Sequence, residues 1–338
     1  MKKVVVLLMA VLLSSVWLVC SPVQAQEKAV SLKFANFFPP DNKISLAFDE
    51  WCKEVEKRTN GSVKVTLFSG STLTPAGQTY ISVTRGVADI GYSFFGYTMG
   101  RFPFMEVLDL PLGYKTGYVA NKLANELYNK FKPKELDDVK VLFLMTSPPH
   151  MLFAKKPIRN LEDLKGVKIR STGTSSKVVE ALGGAPVAMP MSDAYDALSR
   201  GVAQGIIGPY EPMKGWRLAE VVDNSTEYTS AYVNASYVIM NKAKWNSLPA
   251  NTQKIIEQLN IETIEKMAKL WDVLDKEGKD LLVQKGGKVH VLSKEENARW
   301  AGKLSPILDE YVKNAKGKWL PGDEALKFCQ DYLKAHQK

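Results

Sequence analysis

Histidine and cysteine are scarce in this chain, with three of each among 338 residues. No cysteine stands in a CxxC pair or at a spacing that suits a histidine partner, so a zinc site is not expected, nor any other metal or cofactor. The sequence also lacks HExxH, a GxSxG turn and a phosphate-binding GxxxxGK[ST] loop. His290 and His336 belong to C-terminal elements, so a Ser-His-Asp triad would have to recruit His150 with no nucleophile turn in view. Asp193 and Asp196, an i,i+3 carboxylate pair beside Tyr195, read as ordinary helix solvation. An enzyme is therefore not expected.

Long apolar runs are equally rare. One spans Val4 to Val19, preceded by Lys2-Lys3 and followed by Val23-Gln24-Ala25. That is the pattern of an export signal cut after about Ala25, which directs the chain to the periplasm. A retained membrane anchor is the alternative, but the run is barely long enough and no positive flank follows. Lipid modification at Cys20 is disfavoured by the bulk of Val19. After cleavage roughly 310 residues remain, enough for two lobes with proper cores. The net charge of +9 drops to about +7 with the two leader lysines gone. Its basic residues are scattered and not interleaved with aromatics, which argues against a nucleic-acid surface. A mild positive field suits anionic solutes, and solubility alone is the plainer reading. Cys52 and Cys329 can pair if the first and last helices touch, or stay as isolated core thiols.

The chain alternates strand and helix patterns. Ser31–Ala35 reads as a strand, Lys43–Arg58 as a helix ended by Thr59-Asn60-Gly61, and Val63–Leu67 as a second strand. Strand, helix, strand over this length means a right-handed crossover with parallel pairing. A helix from about Pro75 to Arg85 precedes a strand at Val87–Tyr92. The tetrad Arg85-Gly86-Val87-Ala88 returns as Arg200-Gly201-Val202-Ala203, each time between an amphipathic helix and a short apolar strand. Either this is coincidence or two lobes share one plan. Pro249 to about Lys285 is a long helical pattern of roughly 50 Å, expected to run unbroken through both lobes, with a break near Gly278 as the alternative.

The stretch Leu164–Gly173, LKGVKIRSTG, organises the rest. Val167 and Ile169 alternate with Lys168 and Arg170, and Ser171-Thr172-Gly173 ends the strand before a helix that Ser175-Ser176 can cap. Arg170 therefore lies at a strand's carboxyl end, the edge at which open α/β sheets collect ligands. A guanidinium there can grip a carboxylate through two parallel bonds, or simply face solvent at the end of an edge strand.

This stretch and the following ALGGAPVAMPMSDAYDALSRGVAQGIIGP resemble the DctP-type solute-binding proteins of tripartite ATP-independent periplasmic (TRAP) transporters. So do LKFANFFPPDN, SLAFDEWCKEVEKRTNGSVKVTLF, GSTLTPAGQTY and RGVADIGYSFFG. The resemblance covers nearly all the chain beyond the leader. It implies an α/β, two-lobed periplasmic-binding-protein fold, each lobe a sheet flanked by helices, with a long helix spanning both. Residues 1–25 are then the leader, 26–148 the first part of lobe one, and 149–232 lobe two. Residues 233–270 return to lobe one and begin the spanning helix, and 271–338 complete that helix, a lobe-two strand and the C-terminal helices. The resemblance further implies that Arg170 holds a substrate carboxylate, and that a monomeric receptor delivers an organic acid to a membrane permease.

Aromatics gather in the strand-end loops: Phe37 and Phe38, Phe94, Phe95 and Tyr97, and Tyr210 with Trp216. Each is singly as compatible with core packing; together they suggest a flat or apolar ligand body. Where related sugar-acid and dicarboxylate receptors carry a second Arg, a polar Asn and a Glu, this chain has His150, Gly208 and Phe94. Buried hydroxyls left without partners cost on the order of 1–3 kcal/mol each, which disfavours a polyhydroxylated ligand, and Gly208 leaves room for a wide group. The expected site is thus Arg170 with Phe37, Phe94, Met191, Gly208, Tyr210 and Trp216, joined by His150 and Asn234. Met191 is adaptable filler or lobe-two core. His150 is a partly charged donor near neutral pH or a local backbone cap, and Asn234 an amide contact or a turn residue. The expected ligand is an aromatic (indole- or phenyl-type) monocarboxylate or 2-oxo acid, with C4-dicarboxylates, branched oxo acids and sugar acids as alternatives. Outside transport, a secreted hydrolase or a periplasmic sensor subunit are the competing classes; turnover of aryl esters or amides would mark the first.

Overall fold

A computed structural model describes residues 29–337; the leader reading falls outside them. The first part of the chain gives β1 (Val30–Asn36), α1 (Lys43–Arg58), β2 (Val63–Phe68), α2 (Thr79–Thr84), β3 (Ile90–Phe94), α3 (Gly117–Phe131) and β4 (Val139–Thr146). The second part gives β5 (Met151–Ala154), α4 (Leu161–Leu164), β6 (Lys168–Ser171), α5 (Thr174–Ala181), β7 (Ala185–Ala188), α6 (Ala194–Ser199), β8 (Gly205–Gly208), α7 (Glu211–Gly215) and β9 (Asn224–Glu227). The chain then returns through β10 (Ala235–Asn241) and α8 (Lys242–Asn246) to α9 (Ala250–Gln284), and ends in β11 (Lys288–Val291), α10 (Lys294–Gly317) and α11 (Gly322–His336).

The strands form two sheets, in the orders β2-β1-β3-β10-β4 and β11-β9-β5-β8-β6-β7. Each sheet is the centre of one lobe of an α/β fold. The same pairing plan runs through both: three parallel strands (β2-β1-β3 and β7-β6-β8), then two joined antiparallel (β10-β4 and β5-β9). Each lobe's first antiparallel strand is reached from the other lobe: β5 follows β4, and β10 follows β9. The chain thus crosses between lobes at these two strand connections, before α9 carries it on to β11, and the two connections are tied together. Ser147 N–H donates to the Asn234 carbonyl (3.0 Å), Asn234 N–H to Ser147 Oγ (2.9 Å) and His150 N–H to the Tyr232 carbonyl (2.8 Å).

Helix α9 runs 35 residues without a break. Its Gly278 lies against the start of α7, where an added Cβ would stand 2.0 Å from the Tyr210 carbonyl oxygen. The glycine sets a close helix crossing and not a break. Trp51 of α1 donates to Asn260 of α9 (3.1 Å), fixing lobe one on that helix. Two local expectations need correction. The strand expected from Val87 begins only at Ile90, because both tetrads are turns: Gly86 and Gly201 take φ of +73° and +74° and the next residues, Val87 and Val202, are 49% and 50% exposed. Gly173, at φ +50°, precedes α5 without a side-chain cap, while Ser175 Oγ turns back onto Thr172. Cys52 and Cys329 are both buried and free. No helix among the described residues is long and apolar enough to cross a membrane.

Candidate functional site

Strand β6 lies inside its sheet, between β7 and β8, so the side chain of Arg170 is carried into the protein and is only 2% exposed. Its Nε donates to the Met189 carbonyl (3.0 Å), and Nη2 stands 3.5 Å from Tyr97 Oη. Tyr97 belongs to lobe one, and its hydroxyl also accepts the Met191 N–H of lobe two (3.1 Å). Among the described residues the guanidinium makes no ion pair. A cation this deep without a counter-ion costs several kcal/mol, a cost that an anionic partner would offset.

The facing wall is built by the loop after β1. Asn36 Oδ1 accepts the Phe38 N–H (3.1 Å) while its Nδ2 donates to Ser45 Oγ (2.7 Å), pinning the loop to α1. Phe37 then stacks on Tyr92 with ring centres 5.6 Å apart and packs against Phe94, Tyr97 and Trp216. Phe38 sits between the indoles of Trp216 (5.3 Å) and Trp271 (6.0 Å). Phe38, Phe94, Tyr97 and Trp216 close over a cavity of about 20 Å³ whose other walls are Arg170, Met191, the two crossings and Trp271 of α9. The lobes touch directly beside it, where an added Cβ on Gly173 would lie 2.9 Å from Gly96 Cα.

The crossings contribute the polar wall. His150 Nε2 is 2.8 Å from Ser147 Oγ, which already accepts the Asn234 N–H. The Ser147 hydroxyl proton has no other acceptor among the described residues, so it goes to His150 Nε2 and leaves the proton of the ring on Nδ1. His150 Nδ1 is buried with no partner among the described residues. Burial, and next the nearby Arg170 charge, hold the imidazole well below its usual range. The expected partly charged His150 is therefore corrected to a neutral donor.

Six of the nine expected residues line this cavity: Arg170, Phe94, His150, Met191, Trp216 and Asn234. Phe37 lies behind Phe38. Gly208 is not among the lining residues, although a Cβ there would meet nothing within 4 Å. Tyr210 turns away: its hydroxyl is 2.9 Å from both Ser225 Oγ and Glu227 Oε1, and its ring packs edge-on against Phe153. Sequence reasoning missed Ser147, Glu211 and Trp271. Ser147 had a signal, since it opens the Ser-Pro-Pro-His break between strands. Trp271 had none, because it falls on the apolar stripe of α9. Glu211 is a buried carboxyl whose Oε1 accepts from Asn42 Nδ2 across the lobes (2.8 Å); burial pushes it up to about 7. Among the described residues no cluster of His, Cys, Asp or Glu is arranged to hold a metal.

A family model described as bacterial extracellular solute-binding protein, family 7 (DctP) matches residues 34–314. A TRAP solute-binding protein from a marine metagenome, described as specific for aromatic acids and solved with metahydroxyphenylacetate, is 29% identical with a TM-score of 0.87, covering 91% of this chain and 100% of that one. Another from Rhodoferax ferrireducens, solved with copurified benzoate, is 25% identical with a TM-score of 0.86 and covers 91% and 99%. The C4-dicarboxylate-binding periplasmic protein of Rhodobacter capsulatus is 27% identical over 301 residues, 86% of this chain and 89% of its own.

Proposed function

Because the chain belongs to the family-7 bacterial extracellular solute-binding proteins and is a solute receptor of TRAP transport, we propose that its ligand is an aromatic monocarboxylate or 2-oxo acid. The observation that carries this reading is the buried, ion-pair-free guanidinium of Arg170 facing a wall of rings. The carboxylate joins Arg170 and His150 Nδ1–H, and the ligand's flat body lies among Phe38, Phe94 and Trp216. Aromatic faces stack at 4.5–7 Å between ring centres, worth about 0.5–1.5 kcal/mol per pair beyond burial. The lobes open and close about the crossings at Ser147–His150 and near Asn234, with α9 bending. Ligand favours the closed form because Arg170 and Tyr97, from opposite lobes, meet only there. The closed receptor then docks on a membrane permease in the periplasm, as a monomer, with residues 1–25 removed on export.

A second reading, a C4-dicarboxylate, rests on the relative from Rhodobacter capsulatus. A thermal-shift screen separates the two. Benzoate, phenylacetate and phenylpyruvate are expected to raise the melting temperature and succinate and malate to leave it unchanged; the reverse result would overturn the aromatic assignment.

A further inference from the structure

Resting on that reading, we infer that the ligand also carries a neutral hydrogen-bond donor, and that this donor is a hydroxyl read by Asn234 and Trp271. The cavity holds more polar atoms than a carboxylate can serve. His150, Asn234 and Trp271 are 2%, 8% and 1% exposed, line the same small cavity, and each has a buried polar atom without a partner among the described residues: Nδ1, Oδ1 and Nε1. Trp216, half-buried in the same wall, adds a fourth at its Nε1. A carboxylate offers acceptors only. It can satisfy Arg170, His150 Nδ1–H and an indole N–H, but it offers nothing to the amide oxygen of Asn234, whichever way that amide is turned.

An unmet buried acceptor costs on the order of 1–3 kcal/mol, so the ligand that fits best brings a donor to it. An ammonium group would set a second cation in a cavity that already holds Arg170, where like charges in low dielectric repel strongly, and the one carboxyl in the lining, Glu211, is already engaged by Asn42 and pushed up to about 7 by burial. The donor is therefore neutral. A hydroxyl fits better than a ring N–H because it both donates to Asn234 Oδ1 and accepts from Trp271 Nε1–H. Sites built around a buried hydroxyl discriminate strongly against the analogue that lacks it.

Calorimetry on the purified protein tests this with matched acids. These are benzoate against 3-hydroxybenzoate (ring hydroxyl), phenylacetate against mandelate (hydroxyl beside the carboxylate), and 1-methylindole-3-acetate against indole-3-acetate (ring N–H). One hydroxylated member is expected to bind more tightly than its parent by about tenfold or more, and which pair shows the gain tells where the hydroxyl sits. Asn234→Ala and Trp271→Phe are each expected to bring that ratio towards one, weakening the hydroxylated member more than its parent. Equal binding within both hydroxyl pairs, a gain confined to the indole pair, or a ratio that neither variant moves would overturn the inference. Arg170→Ala separates this from the reading beneath it. It weakens both members of a pair alike if the carboxylate assignment holds, and leaves both unchanged if that assignment fails.

Discussion

The residue that follows each tetrad makes the same pair of bonds in both lobes. In lobe one, Asp89 N–H donates to the Lys33 carbonyl (2.9 Å) and Asp89 Oδ2 accepts the Lys33 N–H (2.8 Å). In lobe two, Gln204 N–H donates to the Lys168 carbonyl (2.7 Å) and Gln204 Oε1 accepts the Lys168 N–H (3.0 Å). The strand registers agree, since Phe34 faces Ile90 as Ile169 faces Gly205. Counting on from Lys33 and Lys168, Arg170 stands where lobe one has Ala35, and Thr172-Gly173 where lobe one has Phe37-Phe38. One scaffold therefore presents two different strand ends to the cleft. Lobe one ends in rings and lobe two in a cation and a glycine, so the scaffold fixes position and the substitutions at its edge fix chemistry.

Making lobe two resemble lobe one at this point gives the largest expected effect. Arg170→Ala should weaken binding of an aromatic acid by about 2–5 kcal/mol, the scale of losing one partner of a buried charge pair. Calorimetry on the variant checks it. Because the free protein then no longer buries an uncompensated guanidinium, the melting temperature without ligand should hold or rise.

The next contrast is between the two glycines that meet across the lobes. A Cβ on Gly173 would stand 2.9 Å from Gly96 Cα, and Gly173 holds φ at +50°, whereas a Cβ on Gly96 finds its nearest neighbour at 3.6 Å. Gly173→Ala should hinder closure and lower ligand affinity by about tenfold or more, combining a backbone clash with left-handed strain. Gly96→Ala should stay close to the parent. Small-angle scattering with saturating ligand distinguishes a jammed cleft from a merely less stable fold, because only the first stays extended.

Lobe one's Asn42 and lobe two's Glu211 meet in a buried hydrogen bond, and Asp275 of α9 accepts the N–H groups of Tyr210 (2.5 Å) and Glu211 (3.0 Å). Burial pushes both carboxyls up to about 7, from ordinary values of 4.5 and 3.8. Between those values and 7 the folded protein binds more protons than the unfolded chain, so stability falls as pH rises through this window and levels off above it. Opening the lobes hydrates Glu211 and returns it towards its ordinary value. Closure therefore takes up protons, and affinity should weaken as pH rises from about 4.5 to about 7. Glu211→Gln keeps a partner for Asn42 and should flatten the affinity profile. The melting profile should keep part of its slope, since buried Glu135 is also raised to about 7.

Much of this was legible in the chain itself. The long helix and Arg170 at a strand end follow from patterns of apolar spacing, which report burial, whereas the two-lobe plan came from the repeated tetrad together with the family resemblance. Tyr210 misled because a residue's place after a strand does not say which way its ring turns, and Ser225 and Glu227, the partners that turn it, lie 15 and 17 residues further on. Trp271 was hidden because an indole on an apolar stripe looks like packing until its N–H is found without an acceptor. The charge on His150 was misjudged because desolvation is a tertiary quantity that no local pattern carries.

The smallest expected effects test the lobe correspondence itself. Gly86 and Gly201 hold nearly the same positive φ, with no atom within 4 Å of an added Cβ at either, so alanine meets left-handed strain alone and should cost about 1–2 kcal/mol at each. Val87 and Val202, the exposed residues that follow, should tolerate threonine within about 0.5 kcal/mol. What matters in urea denaturation is the match within each pair. Equal losses for Gly86→Ala and Gly201→Ala mean that the tetrads are one turn used twice. A loss at one glycine without the other would mean that the four shared residues arrived at similar φ values in turns of different strength, and the residue-by-residue pairing of Ala35 with Arg170 would lose its footing.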